Sequence, residues 1–200
     1  MTSTLDHLDT DDPEEVRRHT LDVTRNWCHV ALWQAERVRQ SVCRLTESSL
    51  ERLEPGFTYD PTVFAEADAE RFFLFHAARQ VDRGVSALTG DSELVRTQLQ
   101  SNLDRSIMTL RNAWKHWDNL NNTTRWQLEK LGDGVGPSRL SWNTSTSYEV
   151  GEVMIGGVFT LGELEARTQW TSDYLDLLAE TPAFLRDGWE SAPAPVDPPS

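Results

Sequence analysis

The chain has 200 residues, 32 of them acidic and 19 basic, so its formal net charge is −13. This length suits one domain with extensions and can bury a real core. The acidic balance argues against a protein that holds nucleic acid by bulk positive charge. No apolar run approaches the roughly 20 residues of a membrane span, so we expect no membrane partner.

The first 15 residues carry six acidic residues and no Lys or Arg. They lack the basic and apolar stretches of a secretory signal, so the sequence predicts a cytoplasmic protein with an acidic, flexible segment at 1–12. Cys28 and Cys43 fall in one predicted helix, about 22 Å apart along its axis, which excludes a disulfide between them. No Cys/His spacing resembles a zinc site, and no cofactor or metal is expected.

Helix signals begin at Asp12, a candidate N-cap, followed by Pro13 at the first helical position. Apolar residues then recur at helical spacing to about residue 53, where Pro55-Gly56 ends the run. The length of this first helix leaves room for a break or a kink. A second helix is predicted from Asp60-Pro61 to Gly90, again with a cap and a proline at its start.

A third helix is predicted from Asp91 to about Leu131. Ser, Thr, Val and aromatic residues at 138–160 predict a β-hairpin or a small sheet. A fourth helix follows from about Leu161 to Ala179, and a proline-rich tail at 182–200 is predicted to be disordered. The sum predicts a mainly α fold, an up-and-down four-helix bundle over 13–181 with a hairpin before the last helix.

The polar face of the third predicted helix carries Arg111, Asn112 and His116. Asn112 and His116 are four apart and can touch, and Arg111 flanks the same face. A cation, an amide and an imidazole on one exposed face can hold a phosphodiester and move protons near neutral pH. The opposite side is an apolar stripe that faces the predicted core. It consists of Leu103, Ile107, Leu110, Trp114 and Trp117.

The run from Arg111 to His116 resembles the hallmark of the HEPN superfamily of helical-bundle ribonucleases, an Arg separated from a His by four to six residues. The resemblance implies a metal-independent cleavage of RNA at a cleft that two protomers share. His116 would then be the acid/base, Arg111 would clamp phosphate, and Asn112 would orient either. It also implies a homodimer, an RNA substrate, an antitoxin or regulatory protein as a further partner, and a role in toxin–antitoxin or phage-defence systems.

Two observations qualify this interpretation. A toxin branch of the family carries Tyr two residues after the His, where this chain has Asp118. A second run with the same spacing, from Arg71 to His76, has aromatic and apolar residues between its ends and is interpreted as structural.

The alternatives from other classes are a catalytically inactive HEPN-like module for binding or dimerisation, and an unrelated helical interaction protein.

Overall fold

A computed structural model describes residues 11–51, 61–89, 148–149, 152–155 and 159–195. This part of the chain is mainly α-helical, as the sequence predicts. The third predicted helix, Asp91 to Leu131, lies outside the described residues. Most of the range predicted as a β-hairpin, 138–160, lies outside them too.

The first helix, α1, spans Pro13–Glu51 as one element of 39 residues. Its predicted start is confirmed, since the backbone N–H of Glu14 donates to Asp12 Oδ1 at 3.0 Å. The carboxylate satisfies an N–H that has no partner within the helix and suits the positive end of the helix dipole.

The second helix, α2, spans Pro61–Thr89 and runs antiparallel to α1. In the contacts between the two helices, the residue number on α1 decreases as the residue number on α2 increases. These contacts are Arg44 with Glu66, Gln34 with Glu70, and Trp27 with His76. Near one end the backbones come close, because a Cβ added to Gly84 would lie 2.0 Å from Thr24 Oγ1.

The third described helix, α3, spans Leu161–Ala179. A capping box starts it: Glu163 N–H donates to Thr160 Oγ1 at 3.0 Å, and Thr160 N–H donates to Glu163 Oε2 at 2.6 Å. Ion pairs of Arg39 with Glu165 and of Arg25 with Asp176 join it to α1. The two pairs show that α3 also runs antiparallel to α1, and therefore in the same direction as α2.

Three short strands precede α3: β1 (Tyr148–Glu149), β2 (Glu152–Ile155) and β3 (Phe159–Thr160). They pair antiparallel in the order β1-β2-β3. Val153 of β2 is buried, and β3 leads directly into α3.

The chain continues after α3 as a short helix, α4 (Pro182–Asp187), and a 3₁₀ helix at Gly188–Ser191. The prediction of a disordered tail at 182–200 is therefore wrong for residues 182–191. Phe184 and Leu185 are buried in the main core, which holds residues 182–191 in place. Pro182 occupies the first turn of α4, where its fixed φ suits the start of a new helix.

The core lies where α1, α2, α3 and α4 meet. Its buried members are Leu21, Cys28, Val85, Leu88, Tyr174, Leu175, Leu178, Phe184 and Leu185.

Candidate functional site

The predicted site residues Arg111, Asn112 and His116 lie outside the described residues, and Asp118 does too. Their geometry stays a prediction. The described residues do contain the second Arg-x₄-His run, so its chemistry can be tested directly.

Arg71, the first member of that run, is 4% exposed. Its Nε donates to the carbonyl of Ala67 at 3.2 Å, and its guanidinium pairs with Asp68. Burial lowers the pKa of Arg71 and raises the pKa of Asp68. The charge of each group shifts the partner's pKa the other way, but by less than burial does. A guanidinium enclosed beside a carboxylate is poorly placed to receive a phosphate.

His76 follows Arg71 by five residues on α2. Its ring packs edge-on against Trp27, with 5.8 Å between centroids. Its Nε2 also lies 3.2 Å from Nε2 of Gln80. The geometry agrees with the structural interpretation of this second run.

A polar cluster that the sequence analysis did not single out joins α1 to α2. Glu70 is 6% exposed and accepts from both Gln34 and Arg37. Arg37 Nε lies 2.9 Å from Glu70 Oε2, its Nη2 bonds the other carboxylate oxygen, and Gln34 Nε2 also donates to the Glu70 carbonyl at 3.1 Å. The sequence does carry a signal for the burial of Glu70, because Glu70 lies on the same helical stripe as the buried residues Ala67 and Leu74.

The bonds from Arg37, with help from Gln34, hold the pKa of the Glu70 carboxyl below its ordinary value despite its burial. The group is therefore ionised at neutral pH and is a poor proton donor. Its chemistry is that of a cross-helix tie, which specifies how α1 and α2 align.

A second cluster fastens the C-terminal segment to all three long helices. On α1, Arg17 Nε donates to the Leu185 carbonyl at 2.7 Å, and on α3 the Tyr174 hydroxyl donates to the Pro193 carbonyl at 2.8 Å. The indole N–H of Trp189 donates to the Leu88 carbonyl near the end of α2. Tyr174 stacks between Trp170 and Trp189.

The cysteines are both free thiols, with Cys28 buried and Cys43 half-buried. Burial raises the pKa of Cys28 to about 12, and the charge of Asp176 adds to this effect. Since the thiolate is the reactive form, Cys28 is an inert core residue rather than a nucleophile.

Within the described ranges, no group of three or more His, Cys, Asp or Glu side chains could hold a metal ion. No described helix combines the length and the apolarity that crossing a membrane requires. The chain matches no family model, and no curated protein and no solved structure matches it.

Proposed function

We propose that the protein is a metal-independent endoribonuclease of the HEPN type. Its fold would be an up-and-down four-helix bundle with a β-hairpin before the last helix. The single observation that carries the proposal is the run from Arg111 to His116, with its polar residues on the face opposite an apolar stripe. The toxin or phage-defence setting, the cytoplasmic location and an antitoxin or regulatory partner are proposed from the same resemblance.

In the proposed reaction, the RNA 2′-hydroxyl attacks the adjacent phosphate. His116 takes or returns the proton, Arg111 stabilises the charge that develops on the phosphorane, and Asn112 orients one of them. The products would be a 2′,3′-cyclic phosphate and a free 5′-hydroxyl. Two protomers would pair so that their Arg/His sets form one cleft, which concentrates positive charge that the whole chain lacks.

The directions of the described helices support the proposed bundle. In an up-and-down bundle the second and fourth helices are parallel to each other and antiparallel to the first. The helices α2 and α3 have these directions relative to α1. The region between α2 and β1 along the chain, 90–147, is long enough for the third helix and a connection.

The burial of Arg71 also supports the choice of Arg111 and His116. The chain has two Arg-x₄-His runs. One of them has its arginine enclosed and paired with Asp68, so it is unsuited to a phosphate. The proposal therefore rests on the other.

The test incubates the purified full chain with total bacterial RNA in the presence of EDTA and analyses the RNA ends. We expect cleavage that leaves cyclic phosphates, and a loss of about 10²–10⁴-fold in rate for His116→Ala. His76→Ala is the matched control, because it removes the histidine of the structural run, and it should retain cleavage.

Wild-type protein that neither cuts RNA nor slows growth on expression would contradict the proposed ribonuclease activity. Binding of RNA or self-association without turnover, weakened by Arg111→Ala, would favour the inactive HEPN-like module instead.

A further inference from the structure

An exposed aromatic surface lies across α1 and α2. Trp33 of α1 is 60% exposed, and Phe73 of α2 is 56% exposed. Residues three or four apart are neighbours on a helix, so Arg37 adjoins Trp33 and Glu70 adjoins Phe73. Because Arg37 bonds Glu70 across the two helices, both aromatic side chains lie on the same side of the helix pair. The Arg37 guanidinium also lies over the Trp33 ring, 4.9 Å from its centroid.

Trp33 and Phe73 lie at the same level along the helix axes. Each falls, on its own helix, between two cross-helix contacts that fix the alignment. These contacts are Arg37 with Glu70 and Trp27 with His76. One aromatic side chain per helix, at one level, gives this surface an approximate internal symmetry.

Charges on this side are segregated by helix. Arg37 and Arg44 lie on α1, while Glu66 and Glu70 lie on α2. The Arg44–Glu66 pair, 2.7 Å apart, is exposed on both sides. The four charges sum to zero, in a chain whose net charge is −13. We call the surface formed by Trp33, Arg37 and Arg44 of α1 with Glu66, Glu70 and Phe73 of α2 the aromatic face.

We propose that the aromatic face binds the aromatic face of a second copy of this chain. A two-fold axis parallel to the helices places α1 of one copy opposite α2 of the other and preserves the level of every residue. Trp33 then meets Phe73, and Arg44 meets Glu66, at both halves of the contact. The face is thus complementary to itself: aromatic side chains meet aromatic side chains, and positive charges meet negative ones.

The area and charge of the face fit this occupant. The exposed parts of Trp33 and Phe73 amount to about 230 Å², taking about 200 Å² for a whole aromatic side chain. A stable interface buries about 800 Å² per partner, so these side chains would form its apolar core inside a charged rim. Elsewhere two chains of charge −13 repel, and this neutral face lets them approach.

A single-stranded nucleic acid is disfavoured as the occupant, although exposed aromatic side chains can stack on bases. The arginines of the face are already neutralised by Glu70 and Glu66. A groove that tracks a phosphate backbone needs uncompensated positive charge beside its aromatic side chains. The inference does not rest on the ribonuclease proposal and uses no residue of its site.

The test measures the mass of the full chain in solution by sedimentation equilibrium. Wild-type protein is expected at an even multiple of the 22.8 kDa chain mass. Trp33→Arg and Phe73→Glu should each halve the mass without changing the helical circular dichroism, because both positions are exposed. Leu177→Arg is the control, since it alters a 39%-exposed apolar residue of α3, away from the face.

A charge-exchange experiment tests the alignment itself. Arg44→Glu and Glu66→Arg should each weaken self-association about tenfold or more by placing like charges opposite each other. Mixing the two variants should restore the association, because each then presents the charge that the other lacks. An ion pair that acts only within one chain predicts no such restoration.

Three outcomes would overturn the inference. The first is wild-type protein at 22.8 kDa at about 0.1 mM, far above a micromolar dissociation constant. The second is a mass that Trp33→Arg and Phe73→Glu leave unchanged, which would assign self-association to another surface. The third is binding of single-stranded RNA that Trp33→Arg abolishes while the mass stays that of the wild type.

Discussion

The two interfaces that α1 forms, one with α2 and one with α3, are called seams here and differ in their side chains. The α1–α2 seam contains the close approach of Thr24 to Gly84 and the buried polar cluster around Glu70. The α1–α3 seam, closed by the C-terminal segment, is held by large apolar and aromatic side chains such as Phe184 and Leu178. Its ion pairs, such as Arg25 with Asp176, lie at the surface. Both helix–helix interfaces thus gain free energy from apolar burial, and the first adds the polar and steric detail that fixes its alignment.

The largest effect should come from the second seam. Phe184→Ala removes a fully buried ring and should lower the free energy of unfolding by about 3–5 kcal/mol. Chemical denaturation followed by circular dichroism measures it. Leu177→Ala, at a 39%-exposed position, is the control and should cost far less. Equal losses for the two variants would mean that Phe184 is no part of the core.

An intermediate effect should come from the close approach in the first seam. Gly84→Ala places a Cβ 2.0 Å from Thr24 Oγ1, so it should destabilise the protein by about 1–3 kcal/mol, although alanine favours helix. Thr24→Ala removes the two nearest atoms, so the double variant should lose less than the sum of the singles. A Gly84→Ala protein more stable than wild type would show that the helices are farther apart.

The smallest effect should come from the polar cluster. Glu70→Gln keeps an acceptor but loses the charge opposite Arg37, which is partly exposed, so a cost of about 1 kcal/mol is expected at neutral pH. The lowered pKa of Glu70 gives the sign of the pH dependence. Its contribution is fully present above the unfolded value near 4.3 and is lost as the pH falls through the folded value.

Denaturation at several pH values between neutral and strongly acidic measures this term. The difference between wild type and Glu70→Gln should shrink as the pH falls below about 4. The exposed pair of Arg18 and Glu14 supplies the control, since Glu14→Gln should change stability little at any pH. A difference that does not vary with pH would show that the charge of Glu70 does not stabilise the contact between α1 and α2.

The helix boundaries were accessible from the sequence because local chemistry sets them. Asp12 with Pro13 marks the start of α1, and the prediction of Leu161 to Ala179 matches α3. Turn and cap residues act over three or four positions, which a sequence displays directly. The predicted site could not be compared in the same way, since Arg111, Asn112 and His116 lie outside the described residues.

The features that the sequence did not reveal depend on contacts between distant residues. Pro182 reads as a stop, and only the core that receives Phe184 turns the following residues into a helix. Glu70 is one acidic residue among 32 until Arg37 and Gln34 of another helix enclose it. The aromatic face likewise joins residues 40 positions apart, so no local pattern marks it.

The bond between Arg17 and the Leu185 carbonyl spans 168 positions, which has a consequence for synthesis on the ribosome. At about 5–20 residues per second, the partner of Arg17 is made roughly 8–34 s after Arg17 itself. The pair α1 and α2 can meet early, whereas the apolar side of α1 near Leu21 waits for Phe184 and Leu185. Nascent chains that lack these residues would expose that side, so they are the form most in need of a chaperone.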